Sequence, residues 1–165
     1  MLLRAFAALK PDLREAGLLL VGYGPEEARL KELASAFNAD DVHFAGHVRL
    51  EDLPGYYACA DVFVLPSWGE PWGLVLNEAM AAGLPVIATD QVGASVDLIR
   101  DGVNGYVLPA RDPAALARAL HQVLADPSRA AQMGQQSAQM IAPVNFDVAA
   151  QGILTAVRCA TGQAG

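Results

Sequence analysis

Short apolar runs alternate with segments of helical period along most of this chain, and that alternation restricts the fold more than any other feature. The runs Leu18–Val21, Val42–Phe44, Val62–Leu65, Val86–Thr89 and Tyr106–Leu108 are apolar nearly throughout, not on every second residue. A strand with apolar side chains on both faces needs cover on both faces, which is the condition of a parallel sheet packed between helices. Helical patterns lie near residues 2–9, 26–37, 50–59, 74–82, 94–100 and 113–125, with two more at about 127–141 and 147–160. The expected fold class is therefore α/β: a doubly wound, Rossmann-like parallel sheet of about five strands with helices on both faces. Asp112-Pro113 and Asp126-Pro127 each set a capping carboxylate before a proline suited to the first helical position, and Asp101-Gly102 and Asn104-Gly105 mark turns.

With 165 residues, 53% apolar and 18% charged, the chain holds enough material for one domain with a full core, expected to span 1–165 without a linker or internal repeat. A net charge of −7 with no basic run argues against duplex nucleic acid or an anionic membrane surface as a partner. The two cysteines, Cys59 and Cys159, fall singly in helical segments, so neither a disulfide framework nor a metal site is expected, and both read as buried or idle thiols of a reducing compartment. No apolar run approaches the roughly 20 residues of a membrane span. Met1-Leu2-Leu3-Arg4 opens an amphipathic helix and not the unbroken apolar core of a signal peptide, so the cytoplasm is the expected compartment.

Chemistry concentrates where the third run stops. After Val62-Phe63-Val64-Leu65 comes Pro66-Ser67-Trp68-Gly69-Glu70-Pro71-Trp72-Gly73, then helix formers from Leu74. A loop that leaves the carboxyl end of a strand and feeds a helix N-terminus presents unpaired amides and the positive end of the helix dipole, an arrangement suited to a diphosphate. Glu70 and Glu78, eight positions apart, flank that helix start. Glutamates on amphipathic helices are mostly solvated surface. Glu78 reads differently, because Leu74 and Ala82 flank it at helical spacing and only Asn77 and Glu78 are polar between 74 and 82. Two carboxylates around a scissile bond would also suit a glycosidase, but the anion-binding helix start between them has no role in hydrolysis. The first strand runs into Val21-Gly22-Tyr23-Gly24-Pro25, a G-x-G turn without the third glycine of a dinucleotide fingerprint.

These residues together resemble the donor-binding half of retaining, GT-B glycosyltransferases of group 1. The resemblance rests on the frame Glu70, Trp72, Gly73, Leu74, Glu78, Ala79, Met80, Ala81, Gly83, Pro85 and Val86, which matches at eleven of seventeen positions. It extends to the V-G-x-G-P turn, to Val42-His43-Phe44-Ala45-Gly46 with Val48, to Tyr57-Ala58 and Ala60-Asp61-Val62, and to Val92-Gly93, Leu98-Ile99, Asp101-Gly102 and Gly105, covering about residues 2 to 140. It implies transfer of a hexose from a nucleotide-diphosphate sugar with retention, in which the protein supplies orientation and charge stabilisation. No cofactor or metal is implied.

Carried over by position, Glu70 is the expected catalytic residue, binding hydroxyls of the donor sugar. The amides of Trp72, Gly73, Leu74 and Val75 would meet sugar and diphosphate, and Glu78 the ribose hydroxyls, since a carboxylate accepts two O–H bonds at once. Gly22 and Gly24 would let backbone approach the nucleotide, His47 and Val48 would meet the base through backbone, and Ser67 and Gly93 would line the cleft. Trp72 is expected to pack in the place where the family usually has phenylalanine. Family members open this domain with a strand ending in V-G-R and a lysine-glycine pair whose two cations bind the diphosphate; this chain starts after both and lacks the preceding acceptor domain, so it reads as a fragment or a truncated frame. The alternatives are a non-catalytic nucleotide-binding or interaction module and, more remotely, a sugar-nucleotide epimerase. The strand order 3-2-1-4-5-6 implied by the resemblance would leave a gap between Leu18–Val21 and Val62–Leu65, which the flanking strands are expected to close into a five-stranded sheet or another copy to fill by strand exchange.

Overall fold

A computed structural model describes residues 1–10, 12–37 and 41–162. The elements follow in the order α1 (Leu2–Leu9), β1 (Leu18–Val21), α2 (Glu27–Ala36), β2 (Val42–Gly46), α3 (Leu53–Ala58), β3 (Phe63–Leu65), α4 (Leu74–Ala81), β4 (Val86–Thr89), α5 (Ser95–Leu98), β5 (Gly105–Leu108), α6 (Pro113–Leu124), α7 (Pro127–Ile141) and α8 (Phe146–Ala160). All five expected strands form, and all pairings are parallel. Both Asp-Pro starts are real: the Asp112 carboxylate accepts from the Ala115 N–H at 2.8 Å and Asp126 from the Arg129 N–H at 3.0 Å.

Alternation along the strands builds two cores, one on each face of the β3–β4–β5 ladder. Val86 and Ala88 of β4 join Phe63, Leu65 and Val107 under α4, α5 and the end of α7, with Leu76, Ala79, Met80 and Ile141 supplied by the helices. Ile87 points the other way, with Val64, Tyr106 and Leu108, beneath Leu9 of α1 and Leu116, Leu120 and Val123 of α6. A central strand apolar at every position is thus required by two-sided burial, and each fully buried aliphatic side chain stabilises by about 1.5–3 kcal/mol.

The five strands do not form one sheet. β1 pairs only with β2, β3 only with β4, and the order is β2–β1 in one ladder and β3–β4–β5 in the other. The expected closure of β1 onto β3 does not occur within the chain. Between them lies a cavity of about 330 Å³ lined by Leu2 and Arg4 of α1, Leu20 of β1, Leu33 of α2, and Pro66 and Trp68 beyond β3. The gap lies where the resemblance puts a central strand that this sequence does not contain; α1 is held against α6, with Ala5 and Leu9 buried in the core around Ile87, and its start stands at the cavity wall. Of the two readings of the thiols, burial is corrected, since Cys59 and Cys159 are both exposed; Cys59 caps the carboxyl end of α3 and Cys159 lies on α8, helices that the rest of the described chain covers little. Among the described residues no helix is long and apolar enough to cross a membrane.

Candidate functional site

The segment between β3 and α4 is sewn to the segment between β4 and α5. The Glu70 N–H donates to the Gln91 carbonyl at 2.9 Å, the Glu70 carbonyl accepts from the Gly93 N–H at 2.9 Å, and the Trp72 carbonyl accepts from the Ala94 N–H at 3.0 Å. Such close passage leaves no room for a side chain at position 93, where a Cβ would stand 2.0 Å from the Pro71 oxygen. Gly73 makes the turn into α4 with φ +95°, a conformation costly for any L-residue with a side chain, and its Cα is walled in by Leu65, Val92 and Glu70. Its carbonyl accepts from the Leu76 N–H at 2.8 Å. No side chain caps α4, so the amides of Leu74 and Val75 are left without intrahelical acceptors and face outward at a helix start.

Around this start the two glutamates take separate positions. Glu70 folds back over its own loop, its Oε1 accepting from the Trp72 N–H at 3.3 Å. Glu78, on the second turn of α4, accepts at Oε2 from the Tyr57 hydroxyl at 2.8 Å. Burial, with the adjacent carboxylate adding to it, holds the Tyr57 phenol far above its ordinary pKa, so it remains an O–H donor. The buried stripe of α4 is Leu76, Ala79 and Met80. Leu74, Glu78 and Ala82 face solvent, contrary to the reading of that row as an inward face, because Gly73 sets the helix so that the row 76–80 meets β4. Trp72 is also more open than a packing residue, with its indole N–H donating to Asn77 Oδ1 at 3.2 Å and 40% of its surface exposed. Ser67, half-buried, accepts at its carbonyl from the buried Thr89 hydroxyl.

A second group sits at the carboxyl ends of β1 and β2. Gly22 leaves β1 with φ +131°, and its N–H donates to the carbonyl of Gly46 at 2.9 Å. The register slips between Leu20 and Val21 as β2 turns outward at Gly46. His47 meets Tyr23 edge to face, ring centroids 5.3 Å apart; His47 is exposed and Val48 half-buried, and the Gly24 carbonyl accepts from the Glu27 N–H. The structure therefore gathers Glu70, Trp72, Gly73, Leu74, Val75, Glu78 and Gly93 in one cluster and Gly22, Gly24, His47 and Val48 in another, with no hydrogen bond joining the two among the described residues. Arg49 is taken up by Glu51 and Asp52, and Arg111 stacks over the Trp68 ring at 4.6 Å. Among the described residues no three His, Cys, Asp or Glu side chains gather as metal ligands.

Tyr57, which the sequence marks only through the Tyr57-Ala58 match and to which it gives no role, joins this cluster through Glu78. It precedes Glu78 by twenty-one positions and meets it only because β3 returns the chain past α4.

The site is thus an uncapped helix start at the carboxyl end of a strand in a parallel α/β domain, suited to an anion, with a carboxylate on either side. The chain belongs to the group 1 glycosyl transferases, whose family model matches residues 1–140. It is 38% identical over 159 residues to a D-inositol 3-phosphate glycosyltransferase of Streptomyces avermitilis, covering 90% of this chain and 34% of that protein. It is 37% identical over 142 residues to a GDP-mannose-dependent alpha-(1-6)-phosphatidylinositol monomannoside mannosyltransferase of Mycolicibacterium smegmatis, covering 81% of this chain and 37% of that one. Among solved structures, sucrose-phosphate synthase from Thermosynechococcus elongatus superposes with a TM-score of 0.83 at 32% identity, over 98% of this chain and 42% of that chain. The chain spans about a third of the length of the curated relatives it matches.

Proposed function

We propose that this chain is the donor-binding domain of a retaining glycosyltransferase, which holds a nucleotide-diphosphate sugar for transfer of a hexose to an acceptor bound elsewhere in a longer protein. The observation that carries the reading is the junction at Gly73: uncapped amides at the start of α4 with Glu70 on one side and Glu78 on the other. In this reading Glu70 binds sugar hydroxyls, the amides of residues 72–75 contact sugar and diphosphate, and Glu78 takes the ribose diol. The glycine turn at 22–24 and the backbone at His47 and Val48 lie against the nucleoside, with Ser67 and Gly93 at the cleft floor. Nucleotide sugar is the substrate, no separate cofactor takes part, and the work is done in the cytoplasm.

The test is binding and turnover in a full-length version. Glu70→Ala is expected mainly to depress turnover, and Glu78→Ala mainly to weaken nucleotide affinity by about 1–3 kcal/mol through lost charge-assisted bonds. Wild-type kinetics in both variants would remove the assignment. The 165-residue chain alone is expected to bind nucleotide in a thermal-shift screen against UDP, GDP, ADP and their sugars, and to transfer nothing.

A second reading, a nucleotide-binding module without catalysis, is favoured by one feature: among the described residues no lysine or arginine is hydrogen-bonded into the Glu70–Glu78 loop. Turnover by the longer protein decides between the two. The open edges of β1 and β3 support a further expectation, that copies of this chain associate by exchanging strands across the gap. Light scattering that returns a strict monomer at high micromolar concentration would end it.

A further inference from the structure

An exposed glutamate on a helix has three rotatable bonds, and a ligand that uses it must first select one rotamer, at an entropic cost of roughly a few-fold to tenfold in affinity. Glu78 is exposed, yet it is not free. Its Oε2 accepts the Tyr57 hydroxyl at 2.8 Å, while Oε1 accepts no hydrogen bond among the described residues. The donor is itself held: the Tyr57 ring is half-buried, tilts against Phe63 at a centroid distance of 5.9 Å, and packs on the core formed by α4, α5 and β4. Its backbone is fixed by the turn that ends α3, where the Tyr57 carbonyl accepts from the Ala60 N–H at 3.1 Å. A rigid donor thus pins one oxygen of a mobile carboxylate and leaves the other presented to solvent.

We infer that Tyr57 is a positioning residue for the ligand site: it preorganises the Glu78 carboxylate to accept the vicinal diol of a ribonucleoside. The inference deepens the donor-site reading above and rests on it. A phenol suits the task because it donates one hydrogen bond and carries no charge, so it orients the carboxylate without competing for it as an ion pair would. Its titration, raised by burial and by Glu78 itself, lies above the physiological range, and the orientation is therefore constant with pH there.

Calorimetry on the 165-residue chain tests this with UDP, GDP and ADP and the 2′-deoxy forms of the same nucleotides, using wild type, Tyr57→Phe, Glu78→Ala and the double variant. Tyr57→Phe keeps the ring and its packing on Phe63. It is expected to weaken the ribonucleotide that binds best by about 3- to 10-fold and to leave binding of the matching deoxynucleotide nearly unchanged, while the double variant binds no worse than Glu78→Ala. Wild-type affinity in Tyr57→Phe beside a loss in Glu78→Ala would overturn the inference and spare the donor-site reading. Equal losses for ribo- and deoxynucleotide in Tyr57→Phe would make Tyr57 merely structural, which also overturns the inference and spares the donor-site reading. An unchanged Glu78→Ala, or no binding of any ribonucleotide to wild type, would overturn the donor-site reading and this inference with it.

Discussion

β1 and β4 are both four-residue apolar strands in parallel ladders, but they end in different surroundings. The residues of β4, Val86, Ile87, Ala88 and Thr89, are 0 to 1% exposed. In β1 the side chains alternate between half-buried and open, with Leu19 39% and Val21 43% exposed. β4 has a strand on either side and helices on both faces; β1 has one neighbour, β2, and an edge on the cavity. An apolar run therefore reports what a strand is built to bury, and the amount it does bury depends on neighbours the run does not encode. α8 repeats the point: Ile153, Leu154 and Val157 are half or more exposed on a helix of regular amphipathic period.

The strongest test of this contrast is truncation on each side. Ile87→Ala removes a side chain closed in on all sides and is expected to cost about 2–5 kcal/mol, whereas Leu19→Ala, already open to water, should cost under about 1 kcal/mol. Denaturant unfolding of the two variants measures the difference, and equal losses would erase the distinction. Native-state hydrogen exchange should order the amides the same way, with those of β4 and β5 opening only near the global free energy and those of β1 and β2 opening well below it.

Strand positions are legible because two-sided burial demands unbroken apolar runs, and the run Val86–Thr89 coincides with β4 to the residue. Helix starts with a chemical signal are legible too, as at Asp112 and Asp126. The Gly73 turn and the Glu70–Glu78 frame can be recognised because backbone conformation and residue type are tied there. Illegible is anything set by the third dimension: that Leu74 and Glu78 face outward, which depends on how Gly73 rotates α4; that Tyr57 reaches Glu78; and that β1 and β3, whose gap the strand order implies, do not close onto one another within the chain.

Helix caps give a smaller version of the contrast. α6, which covers one face of β4 and β5, begins at Asp112 with a side-chain bond to the Ala115 N–H; α2, beside β1, begins at Glu26 with none. Asp112→Ala is expected to destabilise by about 1 kcal/mol and Glu26→Ala by a few tenths at most. A thermal melt in which the Glu26 variant loses as much as the Asp112 variant would show α2 to be anchored more firmly than its start suggests.

The smallest effect concerns the tie between the two regions. α1 packs on α6, and just past its end Lys10 donates to the carbonyls of Arg14 and Ala16 and to the carboxylate of Asp41, whose own carbonyl takes the Leu18 N–H at the start of β1. The hydrogen bond from Lys10, and then its charge, hold the Asp41 carboxyl below its usual value of 3.8. A carboxyl whose folded pKa is depressed contributes stability above its unfolded pKa and loses it as pH falls through the folded one. Protection of the β1 and β2 amides should thus be flat from neutral pH down to about pH 4 as far as this pair is concerned, and fall below that. Asp41→Asn should remove the fall while leaving β4 and β5 untouched. Because the pair is exposed, molar salt should blunt the same effect in the wild type. A fall of equal size in β4 and β5 would mean that the pair secures the whole domain and not the tie between its two ladders.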